Sequence, residues 1–147
     1  MKNRNLPADN NWATPKWFYD QLFEEFKFTH DPCPYTVWKI TDKTDGLNYD
    51  NAWGKINFVN PPYDRKTKEA FIQRAIVEQG WGHTSVMLLP VSTSTKVFHD
   101  LIKPNADEIR FIKGRIKFQK YDEKGNLYTP KNGGMHDSMV VVFRSKI

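Results

Sequence analysis

The sequence has one cysteine, Cys33, and no long run of apolar residues. A single cysteine excludes an internal disulfide framework and a zinc site built from several cysteines. The longest uncharged apolar segments, Ser85–Val91 and Met139–Phe143, fall far short of the roughly 20 residues that cross a bilayer as a helix. No basic segment followed by an apolar stretch opens the chain, so we expect no secretory signal and a cytoplasmic location.

Clusters of metal ligands, internal repeats and low-complexity linkers are also missing. The four histidines are scattered without ligand spacing, so the sequence predicts no metal site. A chain of 147 residues without a credible linker suits one domain. We therefore expect a single domain over 1–147, in which the polar residues 1–11 form a flexible arm.

The basic charge is concentrated near one end of the chain. The sequence has 22 Lys and Arg against 17 Asp and Glu, a net charge of +5, and residues 101–147 hold 10 of these basic and 5 of these acidic side chains. A localised basic face is typical of proteins that bind a phosphate backbone. The alternative is a lysine-rich surface that is simply solvated.

Apolar periodicity predicts alternating helices and strands. Thr14-Pro15 is typical of a helix start, with a hydroxyl cap before proline, and Thr93 or Ser94 is the expected cap of a later helix. We expect an α/β sheet that ends in an antiparallel hairpin. The predicted helices cover 15–26, 66–79 and 94–102, and the predicted strands are Lys27–Asp31, Val37–Ile40, Ile56–Val59, Ser85–Leu89, Glu108–Ile112, Arg115–Gln119 and Ser138–Phe143.

The most informative motif is Asn-Pro-Pro-Tyr at positions 60–63, directly after the apolar run Ile56–Val59. Ligands of open α/β sheets bind beyond the carboxyl ends of the strands. The exocyclic amine of adenine is a poor nucleophile because its lone pair is delocalised into the ring. The side-chain carbonyl of Asn60 and the backbone carbonyl of Pro61 can accept both amine hydrogens and polarise the nitrogen towards a methyl sulfonium. Pro61 and Pro62 keep the turn rigid, and Tyr63 offers a ring to an extruded base.

An alternative explanation of the motif is a proline-rich turn that carries a packed tyrosine. The surrounding motifs favour the chemical interpretation. In chain order these motif residues are Trp12, Thr14, Pro15, Asp31, Pro32, Asp45, Gly46, Leu47, Trp53, Asn60–Tyr63 and Gly114–Phe118. Their order resembles the gamma-type amino-methyltransferases and, more closely, the small phage-borne DNA N6-adenine methyltransferases of the Dam-like phage family.

The resemblance implies a minimal Rossmann-like, S-adenosylmethionine-dependent methyltransferase fold with a C-terminal antiparallel hairpin. The implied cofactor is S-adenosyl-L-methionine and the implied partner is double-stranded DNA, in the cytoplasm of a bacterial host if the protein is phage-encoded. The scattered histidines and the short apolar runs predict that neither a metal nor a membrane is involved. No separate target-recognition domain is expected, so sequence preference should be weak. The implied catalytic residues are Asn60, Pro61, Pro62 and Tyr63, and the implied cofactor-binding residues are Trp12, Thr14, Pro15, Asp31, Pro32, Asp45, Leu47 and Asn60.

Within this set the resemblance places Thr14, Pro15 and Asp31 near the methionine end of the cofactor. Asp45 would accept a hydrogen bond from the cofactor's adenine amine, with Leu47 packed nearby. The alternative for Asp45 is a turn, because Asp-Gly is a common turn pair. Asp42 is the nearest candidate for a ribose-binding carboxylate, although an ordinary surface aspartate explains it as well.

DNA contacts are expected near the last strands. Arg115 and Lys117 alternate with Ile116 and Phe118, which predicts a strand with one basic and one apolar face. Phe118 or Tyr121 is the candidate for a second stacking ring. His136 follows two glycines before the last strand, where it either touches DNA or has no role.

Two other functions stay open at this point. Asn-Pro-Pro-Tyr also serves methyltransferases that modify RNA base amines or protein glutamine amides, since each presents a planar NH2 group. The chain also lacks a Gly-x-Gly after Asp31-Pro32, which favours a non-catalytic, methyltransferase-like DNA-binding or decoy protein. Cys33 is either a nucleophile or a small buried group, and amine methylation needs no covalent intermediate.

Overall fold

The computed structural model describes residues 12–36 and 40–147, which form a mixed α/β fold. A four-stranded sheet with the order β1-β2-β6-β3 occupies its centre, and β4 and β5 form a separate two-stranded hairpin. The strands are β1 (Ile56–Val59), β2 (Thr84–Pro90), β3 (Glu108–Phe111), β4 (Lys120–Tyr121), β5 (Leu127–Tyr128) and β6 (Ser138–Phe143). The helices are α1 (Lys16–Phe26), α2 (Arg65–Gly80) and a π-helical turn, Phe98–Ile102, that continues into the short α3 (Lys103–Asn105).

Strand β2 is central and is covered on both faces of the sheet. It runs parallel to β1 and antiparallel to β6, which in turn is antiparallel to β3. Because successive side chains point to opposite faces, Val86 and Leu88 pack with α1, whereas Met87 and Leu89 pack with α2. The uninterrupted apolar run that predicted this strand therefore reflects burial on both sides.

Helix α1 confirms the prediction for 15–26 but begins differently. The carbonyl of Pro15 accepts hydrogen bonds from the amides of Phe18 and Tyr19, and the hydroxyl of Thr14 makes no cap. Its buried face consists of Phe18, Leu22 and Phe26. The chain leaves the helix at Lys27 in the left-handed conformation, with φ 55°.

The other two predicted helices are also present, with different caps. The side chain of Asp64 accepts a hydrogen bond from the amide of Thr67 and so caps α2. Helix α2 extends one residue beyond the predicted range and ends at Gly80. In the third helical segment, the cap is the hydroxyl of Thr95, which accepts from the amide of Phe98 at 3.3 Å, so Thr93 and Ser94 are not the caps.

The strands predicted at Ile56–Val59, Ser85–Leu89 and Ser138–Phe143 are confirmed, and the one predicted at 108–112 ends at Phe111. Within the described part of the chain, two predicted strands are wrong. The segment 27–31 makes only one parallel bridge, between His30 and Asn57. The segment 115–119 buries Ile116 and Phe118, but its one β-bridge among the described residues joins Gln119 to Ala13. Alternating burial there results from packing, since no neighbouring strand supplies a ladder. The strand predicted at 37–40 lies, except for Ile40, outside the described residues, as does the arm 1–11.

A long segment without helix or strand, residues 41–53, is held by the buried side chain of Arg74. Its guanidinium donates to the carbonyls of Gly46 (3.1 Å), Asn48 (3.3 Å) and Asn51 (3.0 Å) and to the carboxylate of Glu78 (2.7 Å). Both members of the Arg74–Glu78 ion pair are only 1% exposed. Since an unpaired buried charge is very costly, the helix and the loop depend on each other.

Gly46 lies against the backbone of Pro32, where a Cβ would overlap the carbonyl oxygen. We expect Gly46→Ala to lower the free energy of unfolding by about 1–3 kcal/mol, because a backbone segment must shift. Gly80→Ala is the matched control, since nothing lies within 4 Å of its added methyl group and alanine favours helix. Urea unfolding of both variants measures the difference. Equal midpoints would show that the Gly46–Pro32 contact is not tight.

Candidate active site

The amide of Asn60 is the centre of the candidate site, at the carboxyl end of β1. Its Nδ2 donates to the backbone carbonyl of Trp12 (2.9 Å) and to the hydroxyl of Thr14 (3.0 Å). A carbonyl can only accept, so the Trp12 contact fixes which end of the amide is the nitrogen. The N-terminal motif and the Asn-Pro-Pro-Tyr turn, 46 or more residues apart in sequence, are thereby joined.

The other end of the same amide is an acceptor without a partner. Asn60 is 8% exposed, and its Oδ1 is buried with no hydrogen bond among the described residues. Buried polar atoms of native proteins are almost always paired. An unpaired acceptor held in a fixed orientation therefore suits a donor that arrives with a ligand.

A cavity of about 260 Å³ opens beside this amide. It brings together four of the predicted site residues from three separate parts of the chain, namely Trp12, Thr14, Asp31 and Asn60. Its walls also contain aromatic rings that the sequence analysis did not assign to the cofactor, namely Tyr19, Tyr35, Phe58 and Tyr121. The other lining residues are Ala13, Cys33, Pro34 and Leu127.

Tyr121 reaches the cavity from the β4–β5 hairpin. Its ring lies 5.2 Å from that of Tyr35, and its amide donates to the Tyr35 hydroxyl at 3.2 Å. It therefore contributes to this cavity and not to the surroundings of Tyr63, where the sequence analysis considered it. Only the contact between distant segments shows this, because no local pattern connects positions 35 and 121.

Among the residues that the structure describes, Asp31 is the one carboxylate in the wall of the cavity. Burial raises the pKa of Asp31 from its ordinary value near 3.8 to about 7, although the amide of Cys33 donates to its Oδ1 at 2.8 Å and opposes the shift. An aspartate with a strongly raised pKa in a cavity is typical of functional sites. A bound cation would favour its charged form.

The remaining residues of the implied cofactor set do not line the cavity. Pro15 is buried at the start of α1, and Pro32 is buried in the turn that Gly46 contacts. Asp45 is 2% exposed, and its Oδ1 accepts a hydrogen bond from the amide of Leu47 at 2.8 Å. This is the turn geometry that the Asp-Gly pair predicts. Leu47 packs against the core on the α2 side.

Tyr63 is the last residue of the Asn-Pro-Pro-Tyr turn, and Pro61 and Pro62, which separate it from Asn60, are buried. Its ring makes edge-to-face contacts with Phe118 (5.8 Å, 86°) and His136 (5.7 Å, 85°). The hydroxyl is buried without a hydrogen bond to any described residue, and burial raises the pKa of Tyr63. The ring orientation is thus set by its neighbours and not by the hydroxyl.

The four residues predicted to contact DNA have different surroundings. Phe118 is 2% exposed and belongs to the core beneath Tyr63, so its ring is not on the surface. Arg115 is exposed but pairs with Asp137 at 3.1 Å. Lys117 is exposed, and His136 is an exposed residue whose ring contacts Tyr63.

The described residues also bear on the predictions for Cys33, for a metal site and for a membrane-spanning helix. Cys33 is buried, as expected for a small apolar group. Within 12–36 and 40–147, no group of three or more His, Cys, Asp or Glu side chains could hold a metal ion. No helix in the same residues is long and apolar enough to cross a membrane.

Comparison with known proteins gives a family match. The model of the DNA N-6-adenine-methyltransferase (Dam) family matches residues 3–147. The chain belongs to this family. No curated protein and no solved structure matches it. Membership of the Dam family implies DNA adenine-N6 methyltransferase activity.

The raised pKa of Asp31 predicts a pH dependence of stability for this Dam family member. The folded state favours the protonated carboxyl, so Asp31 removes stability progressively as the pH rises from about 4 to about 7. We expect Asp31→Asn to raise the melting temperature at pH 8 and to have little effect at pH 4. Thermal unfolding across this range tests it, with the exposed Asp50→Asn as control. Equal melting temperatures of wild type and Asp31→Asn at pH 8 would contradict the shift.

Proposed function

We propose that the protein transfers a methyl group from S-adenosylmethionine to the N6 amine of adenine in double-stranded DNA, with weak preference for the surrounding sequence. The unpaired Oδ1 of Asn60 is the observation that carries the proposal. It would accept one amine hydrogen while the Pro61 carbonyl accepts the other, which makes the nitrogen lone pair more available. Because Trp12 and Thr14 hold the amide before the substrate arrives, no reorganisation is needed during the reaction.

The cavity residues fit S-adenosylmethionine on chemical grounds. When bound, this cofactor supplies a methyl group on a positively charged sulfonium. The aromatic residues Trp12, Tyr19 and Tyr35 line the cavity, and aromatic rings attract cations. Asp31 would accept hydrogen bonds from the ammonium group of the methionine end, and its ionisation would then become favourable. The cavity volume of about 260 Å³ suits the methionine and sulfonium end of the molecule.

This role of Asp31 opposes its effect on stability. The Asp31→Asn protein, which we expect to be more stable at pH 8, should bind S-adenosylmethionine more weakly in titration calorimetry. Groups that are retained at a cost in stability are typical of functional sites. Asp45 stays in the proposed cofactor site because its neighbour Gly46 lies against the backbone of Pro32. Leu47 packs against the core.

The fold is interpreted here as a minimal Rossmann-like methyltransferase domain spanning 1–147. Parallel strands β1 and β2 are each followed by a helical segment, and the proposed ligands lie beyond their carboxyl ends, as in other open α/β sheets. The described residues offer only the short β4–β5 hairpin beyond the main sheet. Reading base edges needs an element that enters a groove, so weak sequence preference follows.

Asn60→Ala tests the proposal directly. We expect transfer of labelled methyl groups from S-adenosylmethionine to duplex DNA to fall by about 10²–10³-fold, the usual cost of losing a preorganised hydrogen-bonding group. Asn132→Ala, at an exposed position, is the control and should keep full activity. Parallel reactions with RNA and with protein distinguish the substrate class.

Three results would count against the proposal. Activity of Asn60→Ala within threefold of wild type, at unchanged melting temperature, would remove Asn60 from the mechanism. Label in RNA or protein instead of DNA would assign a different substrate. Absence of S-adenosylmethionine binding by the wild type would favour a non-catalytic DNA-binding protein.

Tyr63 is proposed to stack on the extruded adenine, so its ring matters and its hydroxyl does not. Tyr63→Phe removes only a buried hydroxyl that has no partner among the described residues, and we expect nearly normal activity with an equal or higher melting temperature. Tyr63→Ala should lose DNA-dependent activity, because a base–aromatic stack contributes about 1–3 kcal/mol. Steady-state kinetics with duplex DNA measures both. Equal losses in the two variants would give the hydroxyl a role.

A further inference from the structure

A second and larger cleft, of about 750 Å³, lies between the first half of α2 and the helical segment that follows β2. Arg65 and Lys68 line it from α2, and Lys96 lines it from the opposite side. Because β1 and β2 are parallel, α2 and the opposite segment both follow the carboxyl edge of the sheet. The cleft therefore lies on the edge that carries the Asn60–Tyr63 turn, and Arg65 is only two residues beyond Tyr63.

The three cations of this cleft make no ion pair with any carboxylate in 12–36 or 40–147. Some of the other basic side chains differ, since Arg110 and Arg144 both pair with Glu108. Lys68 is half-buried, and burial lowers its pKa. A partly desolvated ammonium group gains more from an anionic ligand than a fully hydrated one.

Two carboxylates, Glu69 and Asp100, also line the cleft. The five ionisable groups sum to a charge of +1, from three cations and two anions. This balance does not suit a free polyphosphate, which carries several charges in a small volume. It suits a phosphodiester backbone, which brings one negative charge per nucleotide.

We propose that this cleft binds the backbone of the target DNA strand beside the extruded adenine, with Arg65, Lys68 and Lys96 contacting its phosphates. The inference rests on the proposed function. Extruding a base costs unstacking and unpairing energy, and phosphate contacts next to the extruded nucleotide fix the strand in register with the site. The cleft and the turn proposed to hold the base lie at the same edge of the sheet, so both contacts can be made by one strand.

The test is the salt dependence of binding to a short fluorescent DNA duplex, measured by anisotropy for Arg65→Gln, Lys68→Gln and Lys96→Gln. Each lost phosphate contact should reduce the slope of log affinity against log salt by about 0.9 and weaken binding several-fold at low salt. Lys55→Gln is the matched control, because it removes the same charge from an exposed residue before β1, at the other edge of the sheet. Glu69→Gln should change affinity in the opposite direction and tighten binding.

The outcomes separate this inference from the proposed function. If the wild type binds and methylates DNA while all three cleft variants match Lys55→Gln, the cleft is not the phosphate site, although the proposed function stands. If the wild type neither binds nor methylates DNA, both fail. Affinity for S-adenosylmethionine should be unchanged in every variant, since its proposed cavity has none of these residues. A reduced slope in at least two variants, at unchanged melting temperature, supports the inference.

Discussion

One buried guanidinium organises the part of this molecule that has no regular secondary structure. Arg74 satisfies three backbone carbonyls of the segment 41–53, while Glu78 balances its charge. Trp53 donates to the same carbonyl of Gly46 that Arg74 contacts. The segment is thereby pressed against the turn at Pro32, whose neighbour Asp31 lines the cavity. An irregular loop thus acquires a fixed shape without the backbone ladder that a strand would provide.

Unsatisfied polar atoms are concentrated where the reaction is proposed to occur. Asn60 Oδ1, Tyr63 OH and Asp64 Oδ1 are all buried without partners among the described residues, within five consecutive positions. The carboxylate of Asp31 nearby is held in surroundings that disfavour its charge. Ser85 and Ser138 have similarly unpaired hydroxyls inside the sheet, among the described residues. Buried polar atoms without partners lower the stability of the fold, and such atoms at the end of β1 are expected where a ligand completes the site.

Charge along the chain and charge on the surface are different quantities in this protein. The excess of basic residues lies in 101–147, yet several of those side chains are neutralised by carboxylates. Arg110 pairs with Glu25 and Glu108, and Arg115 pairs with Asp137. Arg65 and Lys68 of α2 come from a stretch with almost balanced charge, but the fold leaves them without such partners among the described residues. The surface suited to phosphate is therefore a product of folding, which brings some charges together and separates others.

The sequence by itself determined the elements whose pattern reflects a single local cause. Apolar periodicity located all three helices and the buried strands, and the motif order identified the family together with the Asn60 turn. The alternation of residues at 115–119 did not show whether this segment forms a strand. A strand must hydrogen-bond to a neighbouring strand, and only the fold determines whether one is there. Nor could the sequence place Tyr121 with Tyr35, or Arg74 under the segment 41–53, since these contacts join distant positions. Tertiary structure alone decided which atoms were left unpaired, because satisfaction of a polar group depends on every segment packed around it.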